Sequence, residues 1–127
     1  MVIFTVNGVF LPVCSKSSYV PNYEKYYDII RSLGIHDVYC LSVNDYLCFR
    51  QWGLRLGLEE EGMNPTSPLN PGNFKKVKLL PDAELKFTRG MGMNTHLEGI
   101  GERSWRYSMV VDDGIIEKIF VEEVLNP

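Results

Sequence analysis

Cys14 is the residue of this 127-residue chain best placed to do chemistry. An apolar run, Val2-Ile3-Phe4-Thr5-Val6, leads through Asn7-Gly8-Val9-Phe10-Leu11-Pro12-Val13 to that cysteine. A strand, a loop bearing glycine and proline, and then a helix put Cys14 at the start of the helix. Unpaired backbone N–H groups and the positive end of the helix dipole favour a thiolate there. A lowered thiol pKa makes the sulfur a nucleophile near neutral pH. A buried structural cysteine satisfies the same placement, because free cysteine is among the most buried residue types. Cys40, in a predicted strand, and Cys48, in a predicted helix, are both expected to be buried. Three cysteines without a C-x-x-C pair read neither as a disulfide framework nor as a dithiol redox centre or zinc knuckle. His36 and His96 lie far apart and have no ligand-spaced companions, so no metal and no cofactor is expected.

The elements that must position Cys14 follow from periodicity. Tyr19, Tyr23, Tyr26, Tyr27 and Ile30 recur at helical spacing as an amphipathic stripe expected to face the core, with Gly34 as C-cap. His36-Asp37-Val38-Tyr39-Cys40-Leu41-Ser42-Val43 is rich in β-formers and mostly apolar, as a buried parallel strand should be. Asn44 or Asp45 can N-cap a second helix through Tyr46, Leu47, Phe49, Trp52 and Leu56. The acidic run Glu59-Glu60-Glu61 and the prolines 65, 68 and 71 mark residues 58–73 as a surface excursion. Val77-Lys78-Leu79-Leu80 is a short strand, Pro81-Asp82 opens a short helical segment through Phe87, and Gly90-Met91-Gly92-Met93 is a connection. Asp112-Asp113-Gly114 between two β-rich runs is a strong hairpin signal. The order β-α-β-α-β-β-β predicts an α/β fold with a central mixed sheet flanked by helices and closed by a C-terminal antiparallel hairpin. Trp52 and Phe120 are expected to be largely buried.

Composition narrows the class. The 45% hydrophobic and 23% charged residues are ordinary for one globular domain spanning residues 1–127. A net charge of −3 gives no basic face for nucleic acid. No apolar run approaches the roughly 18 residues of a membrane helix. The N-terminus has no basic segment before its apolar run, so no signal peptide is expected and the cytoplasm is the default.

The strand–cysteine–helix order is the thioredoxin-like arrangement, and local blocks go further. Gly8-Val9-Phe10-Leu11-Pro12-Val13-Cys14-Ser15, Tyr39-Cys40-Leu41-Ser42-Val43-Asn44-Asp45 with Trp52, and Leu80-Pro81-Asp82 occur in order. Phe87-Thr88-Arg89-Gly90-Met91-Gly92-Met93 and Arg103-Ser104-Trp105-Arg106-Tyr107-Ser108-Met109-Val110-Val111 follow them. The chain resembles peroxiredoxins of the plant type II, or peroxiredoxin-five-like, group from about Val2 to Val121, interrupted by the excursion, which looks like an insertion. The resemblance implies a thiol peroxidase. Cys14 matches the cysteine whose thiolate attacks the peroxide and becomes a sulfenic acid. Arg106 matches the arginine that holds the thiolate and polarises the peroxide. Phe10, Leu11, Pro12 and Val13 would line the substrate pocket, and glutathione, glutaredoxin or thioredoxin would reduce the sulfenic acid.

Three departures from the family pattern matter. The motif Pro-x-x-x-Thr(or Ser)-x-x-Cys has Asn7 here for its proline and Leu11 for its hydroxyl residue. The chain starts at the strand before Cys14 and stops at Pro127, whereas the family has further N-terminal strands and a C-terminal helix. The third departure is the excursion at 58–73. An uncovered sheet face or edge needs a partner, and homodimerisation would be one remedy. A second reading is therefore a catalytically weakened thioredoxin-fold module that senses oxidants or binds a partner. Loss of the motif at Leu11 and Asn7 favours the module, and retention of Cys14 and Arg106 favours the enzyme.

Overall fold

The computed structural model describes residues 1–9, 23, 25–55 and 77–122. Through them run β1 (Val2–Thr5), α1 (Tyr27–Ser32), β2 (Val38–Ser42), α2 (Tyr46–Arg55) and β3 (Lys78–Pro81). There follow α3 (Lys86–Gly90), β4 (Asn94–Leu97), β5 (Gly101–Ser104), β6 (Tyr107–Asp112) and β7 (Ile115–Val121). Five of these strands form one sheet in the order β3-β2-β1-β6-β7. β1, β2 and β3 pair in parallel, and β6 runs antiparallel to both β1 and β7. This is the mixed sheet with a closing hairpin that the sequence predicts.

Both parallel crossovers step in the same direction across the sheet. Such connections are right-handed, so α1 and α2 cover the same face. There Phe4, Val6, Val38, Cys40, Val77 and Leu79 pack with Tyr27, Phe49 and Trp52. Trp52 is buried, as expected. Side chains alternate across a strand, so Ile3, Leu41, Tyr107, Met109 and Val111 build a second cluster on the opposite face, with Met91 and Met93 against it.

Local chemistry sets the element ends. Asp45 caps α2 by accepting the Cys48 N–H at 2.9 Å. Asn44 serves another purpose: its Oδ1 accepts the Val9 N–H at 3.2 Å and the Ser42 hydroxyl at 2.6 Å. That bond ties the loop leaving β1 to the end of β2. Gly34 follows α1 with φ +94° and donates its N–H to the Arg31 carbonyl, the role predicted for it. Asp113 and Gly114 both take positive φ, 49° and 78°, as a two-residue type I′ hairpin turn requires. A register shift between Val110 and Val111 leaves Glu117 as an extra residue in β7.

Several expectations are corrected. Phe120 is 63% exposed rather than buried, because it lies on the edge strand β7, opposite Ser108, and no described element covers it. Cys48 is exposed: Phe49 and Trp52 take the inward face of α2 and turn Cys48 outward. The aromatic stripe is only partly core, with Tyr27 buried but Tyr26 exposed. Tyr23 packs its ring on Phe4, with centroids 3.7 Å apart and planes within 4°. The helical segment expected from Pro81-Asp82 begins at Lys86, since Asp82 accepts the N–H groups of Phe87 and Thr88 and the Thr88 hydroxyl. The small β4–β5 sheet was not anticipated, because Gly90 to Gly101 carries no alternating apolar pattern. Residues 58–73, Tyr19 and Leu56 lie outside the described residues.

Tyr107 carries a testable cost. Its buried hydroxyl has no hydrogen-bond partner among the described residues. Burial, with the Asp82 charge adding to it, pushes the phenol from 10.0 up to about 12. A raised folded-state pKa gives stability that is present below pH 10 and lost as pH climbs through about 12. Tyr107→Phe is expected to melt no lower than the parent at pH 7, since a buried unsatisfied hydroxyl costs about 1–3 kcal/mol. It is also expected to lose less stability between pH 9 and 12. Identical alkaline profiles for the two proteins would contradict this.

Candidate active site

Arg106 is the predicted site residue that the structure describes, and it is 3% exposed. It precedes β6, in the short stretch between β5 and β6, and β1 fixes it there. Thr5, fully buried, continues the β1–β6 pairing with its side chain instead of its backbone. Its hydroxyl donates to the Trp105 carbonyl at 2.7 Å and accepts the Tyr107 N–H at 2.8 Å. The two peptides flanking Arg106 are thus pinned to one side chain. Thr5→Val keeps the shape and removes both bonds, leaving the buried Tyr107 N–H without this acceptor, while the Trp105 carbonyl keeps the Ser104 hydroxyl at 2.8 Å. A loss of about 1–3 kcal/mol in unfolding free energy is expected, measured by urea denaturation. A change below a few tenths would show that Thr5 does not hold this bend.

The guanidinium is gripped from two sides. Nε and Nη2 both point at Oε2 of Glu122, at 2.7 and 2.6 Å. Nη1 donates to Oδ1 of Asn7 at 3.0 Å. Glu122 is itself anchored: its N–H donates to the Arg106 carbonyl at 3.1 Å. Its carbonyl accepts the Trp105 indole N–H at 2.6 Å. Asn7, fully buried, lies two residues after the end of β1, on the stretch that leads toward Cys14. Charge-assisted bonds of this kind are the strong ones in proteins.

A cleft of about 210 Å³ opens beside this arrangement, lined by Tyr23, Arg106, Ser108, Phe120 and Glu122 among others. Burial raises the pKa of the Tyr23 phenol, with the hydrogen bond to Ser108 acting against it, so the tyrosine is a neutral wall. The cleft therefore offers a buried guanidinium, paired with the Glu122 carboxylate, beside aromatic and apolar surface. That combination suits a small polar molecule that develops negative charge.

Cys14 and the expected pocket residues Phe10, Leu11, Pro12 and Val13 lie outside the described residues. Neither described cysteine is prepared for nucleophilic attack. Cys40 is buried in β2, and the Cys48 thiol is pushed up by desolvation and then by Asp45. Sequence reasoning singled out Arg106 but missed Glu122 and Thr5 as its supports. It noted Asn7 only as a departure from a motif.

A Redoxin family model matches residues 1–127. Peroxiredoxin sll1621 of Synechocystis is 44% identical over 124 residues, 96% of this chain and 57% of that protein. The chloroplastic peroxiredoxin-2E of Arabidopsis thaliana is 32% identical over 126 residues, 96% of this chain and 47% of that protein. Among solved structures, reduced Prx3 from Vibrio vulnificus in complex with H2O2 superposes with a TM-score of 0.79 at 26% identity. That match covers 98% of this chain and 69% of the Vibrio chain. The chain thus spans 57% of the first curated relative's length.

Proposed function

The chain belongs to the Redoxin family, and on that premise we propose that it is a thiol-dependent peroxidase acting through Cys14. The observation that carries the reading is Arg106: a buried guanidinium, held by Glu122 and Asn7 at the wall of a cleft. A permanent cation there stabilises a cysteine thiolate and the charge that builds on a splitting O–O bond. The Vibrio relative solved with H2O2 supports a hydroperoxide as the substrate. On the same reading Phe10, Leu11, Pro12 and Val13 would line the approach to the sulfur.

In the proposed reaction the Cys14 thiolate attacks the nearer peroxide oxygen. The O–O bond breaks and the sulfur keeps one oxygen as sulfenic acid. The leaving oxygen departs as water from H2O2, or as an alcohol from an alkyl hydroperoxide, after taking a proton. A thiol, from glutathione, glutaredoxin or thioredoxin, then displaces the sulfenic oxygen as water, and a second thiol returns Cys14 to its reduced form. A reducing compartment such as the cytoplasm suits this cycle. The single domain over 1–127 with an insertion at 58–73 belongs to the same reading. So does a homodimer, which would cover exposed β7 side chains such as Phe120 and Ile119.

The test is stopped-flow mixing with H2O2 and dimedone trapping at Cys14. Sulfenate is expected to form far faster than on free cysteine, and Cys14→Ser is expected to abolish it. Sulfenate forming in the parent protein no faster than on free cysteine would remove the peroxidase reading.

A further inference from the structure

Asn7 occupies the place where the motif Pro-x-x-x-Thr-x-x-Cys has proline, and a proline side chain can accept no hydrogen bond. Here the residue is fully buried, and its Oδ1 takes the Nη1–H of Arg106 at 3.0 Å. An arginine offers only donors, so the amide oxygen must be the atom that faces it. The opposite edge of the guanidinium is bound to Glu122 through Nε and Nη2. Nε and Nη2 share the one oxygen Oε2, so Glu122 restrains the guanidinium at a single atom. A second acceptor on Nη1 fixes the plane.

The two acceptors also differ in charge. Glu122 carries a carboxylate and neutralises the cation, with a side chain 42% exposed to water. Asn7 is neutral, and it holds the guanidinium without quenching it. Its place is rigid as well: the preceding Val6 donates its N–H to the Leu41 carbonyl at 3.0 Å, and Val9, two residues on, is tied to Asn44. The acceptor is built on the end of the central strand rather than on a free loop.

We infer that Asn7 is a positioning residue of this active site, holding Arg106 in the orientation that stabilises the Cys14 thiolate. It would replace the motif proline with a different way of ordering the same site. The inference rests on the assignment of Cys14 and Arg106 as a functional pair.

The experiment measures the rate of Cys14 alkylation by iodoacetamide against pH, beside kcat/KM for H2O2. It uses the Cys48→Ser protein as parent, which lacks the exposed competing thiol, and two variants made in that background. Asn7→Leu removes the acceptor at similar volume. It is expected to move the alkylation midpoint up by about one pH unit and lower kcat/KM about tenfold at pH 7. Asn7→Ala removes the acceptor without adding a charge. It should move the midpoint the same way, and it serves if the leucine variant does not fold. A purely structural role would lower the melting temperature and leave the midpoint in place. A folded variant with an unmoved midpoint overturns the inference. If the parent does not turn over peroxide, the peroxidase reading fails separately, because the alkylation midpoint needs no peroxide.

Discussion

Arg106→Met is expected to lower kcat/KM for H2O2 by about 100- to 1000-fold, the cost typical of removing one preorganised donor from developing negative charge. Geometry contributes to this effect as well as charge. The guanidinium is 3% exposed and bound on both edges, so it needs no reorganisation when charge builds in the cleft. Arg106→Lys separates the two contributions. Lysine keeps a positive charge, but it is a flexible point charge without the planar fork. It cannot meet Glu122 and Asn7 from two edges at once. Lysine should therefore recover only a small part of the lost rate, about tenfold above methionine, reflecting charge without fixed direction. Melting curves for both variants identify any rate loss that comes from unfolding. Full activity in the lysine variant would show that charge alone matters and that the clamp around the guanidinium is incidental. Full activity in the methionine variant would remove Arg106 from the chemistry.

A second large effect is expected at position 11, in the opposite direction. The family motif places a threonine or serine hydroxyl where this chain has Leu11, and leucine can neither donate to the peroxide nor support the thiolate. A hydrogen bond to a charged group contributes roughly 1.5–3 kcal/mol. At about 1.4 kcal/mol per tenfold, Leu11→Thr should raise the rate of sulfenate formation ~10- to 150-fold. Stopped-flow rates against H2O2 concentration, with dimedone capture to confirm the site, measure it. An unchanged rate would mean that the missing hydroxyl does not limit sulfenate formation. Leu11→Thr combined with Asn7→Pro restores the family motif at both positions. The sum of the two separate effects is the baseline for that double variant, and a departure from it measures how far the two residues act together.

Much of the architecture was legible in the chain because it rests on short-range chemistry. Asp113-Gly114 can adopt two consecutive positive φ values at little cost, so the hairpin is written in two residues. Asp45 caps α2 and Gly34 ends α1 through atoms within a few positions of each other. The apolar run after His36 carries the composition of a strand buried on both faces, and β2 lies inside the sheet between β3 and β1. Phe120 misled for the reason that composition often misleads. A large apolar side chain predicts burial only if something packs on it, and β7 is an edge strand with no described neighbour on its outer side.

The chain by itself singled out Cys14 and Arg106 as the candidates for chemistry and predicted the strands of the main sheet. Only the tertiary structure decided what surrounds the arginine. The two-residue turn pairs Asp112 with Ile115 and Val111 with Ile116. Continued without interruption, that register would set Arg106 against Val121. The bulge at Glu117 adds one residue to β7, and Glu122 arrives opposite Arg106 instead. Asn7 reaches the same guanidinium across 99 residues of sequence, through the antiparallel pairing of β1 with β6. Neither contact has a local signal, because a one-residue change of register alters no propensity and no periodicity. It alters only which charges meet once the sheet has formed.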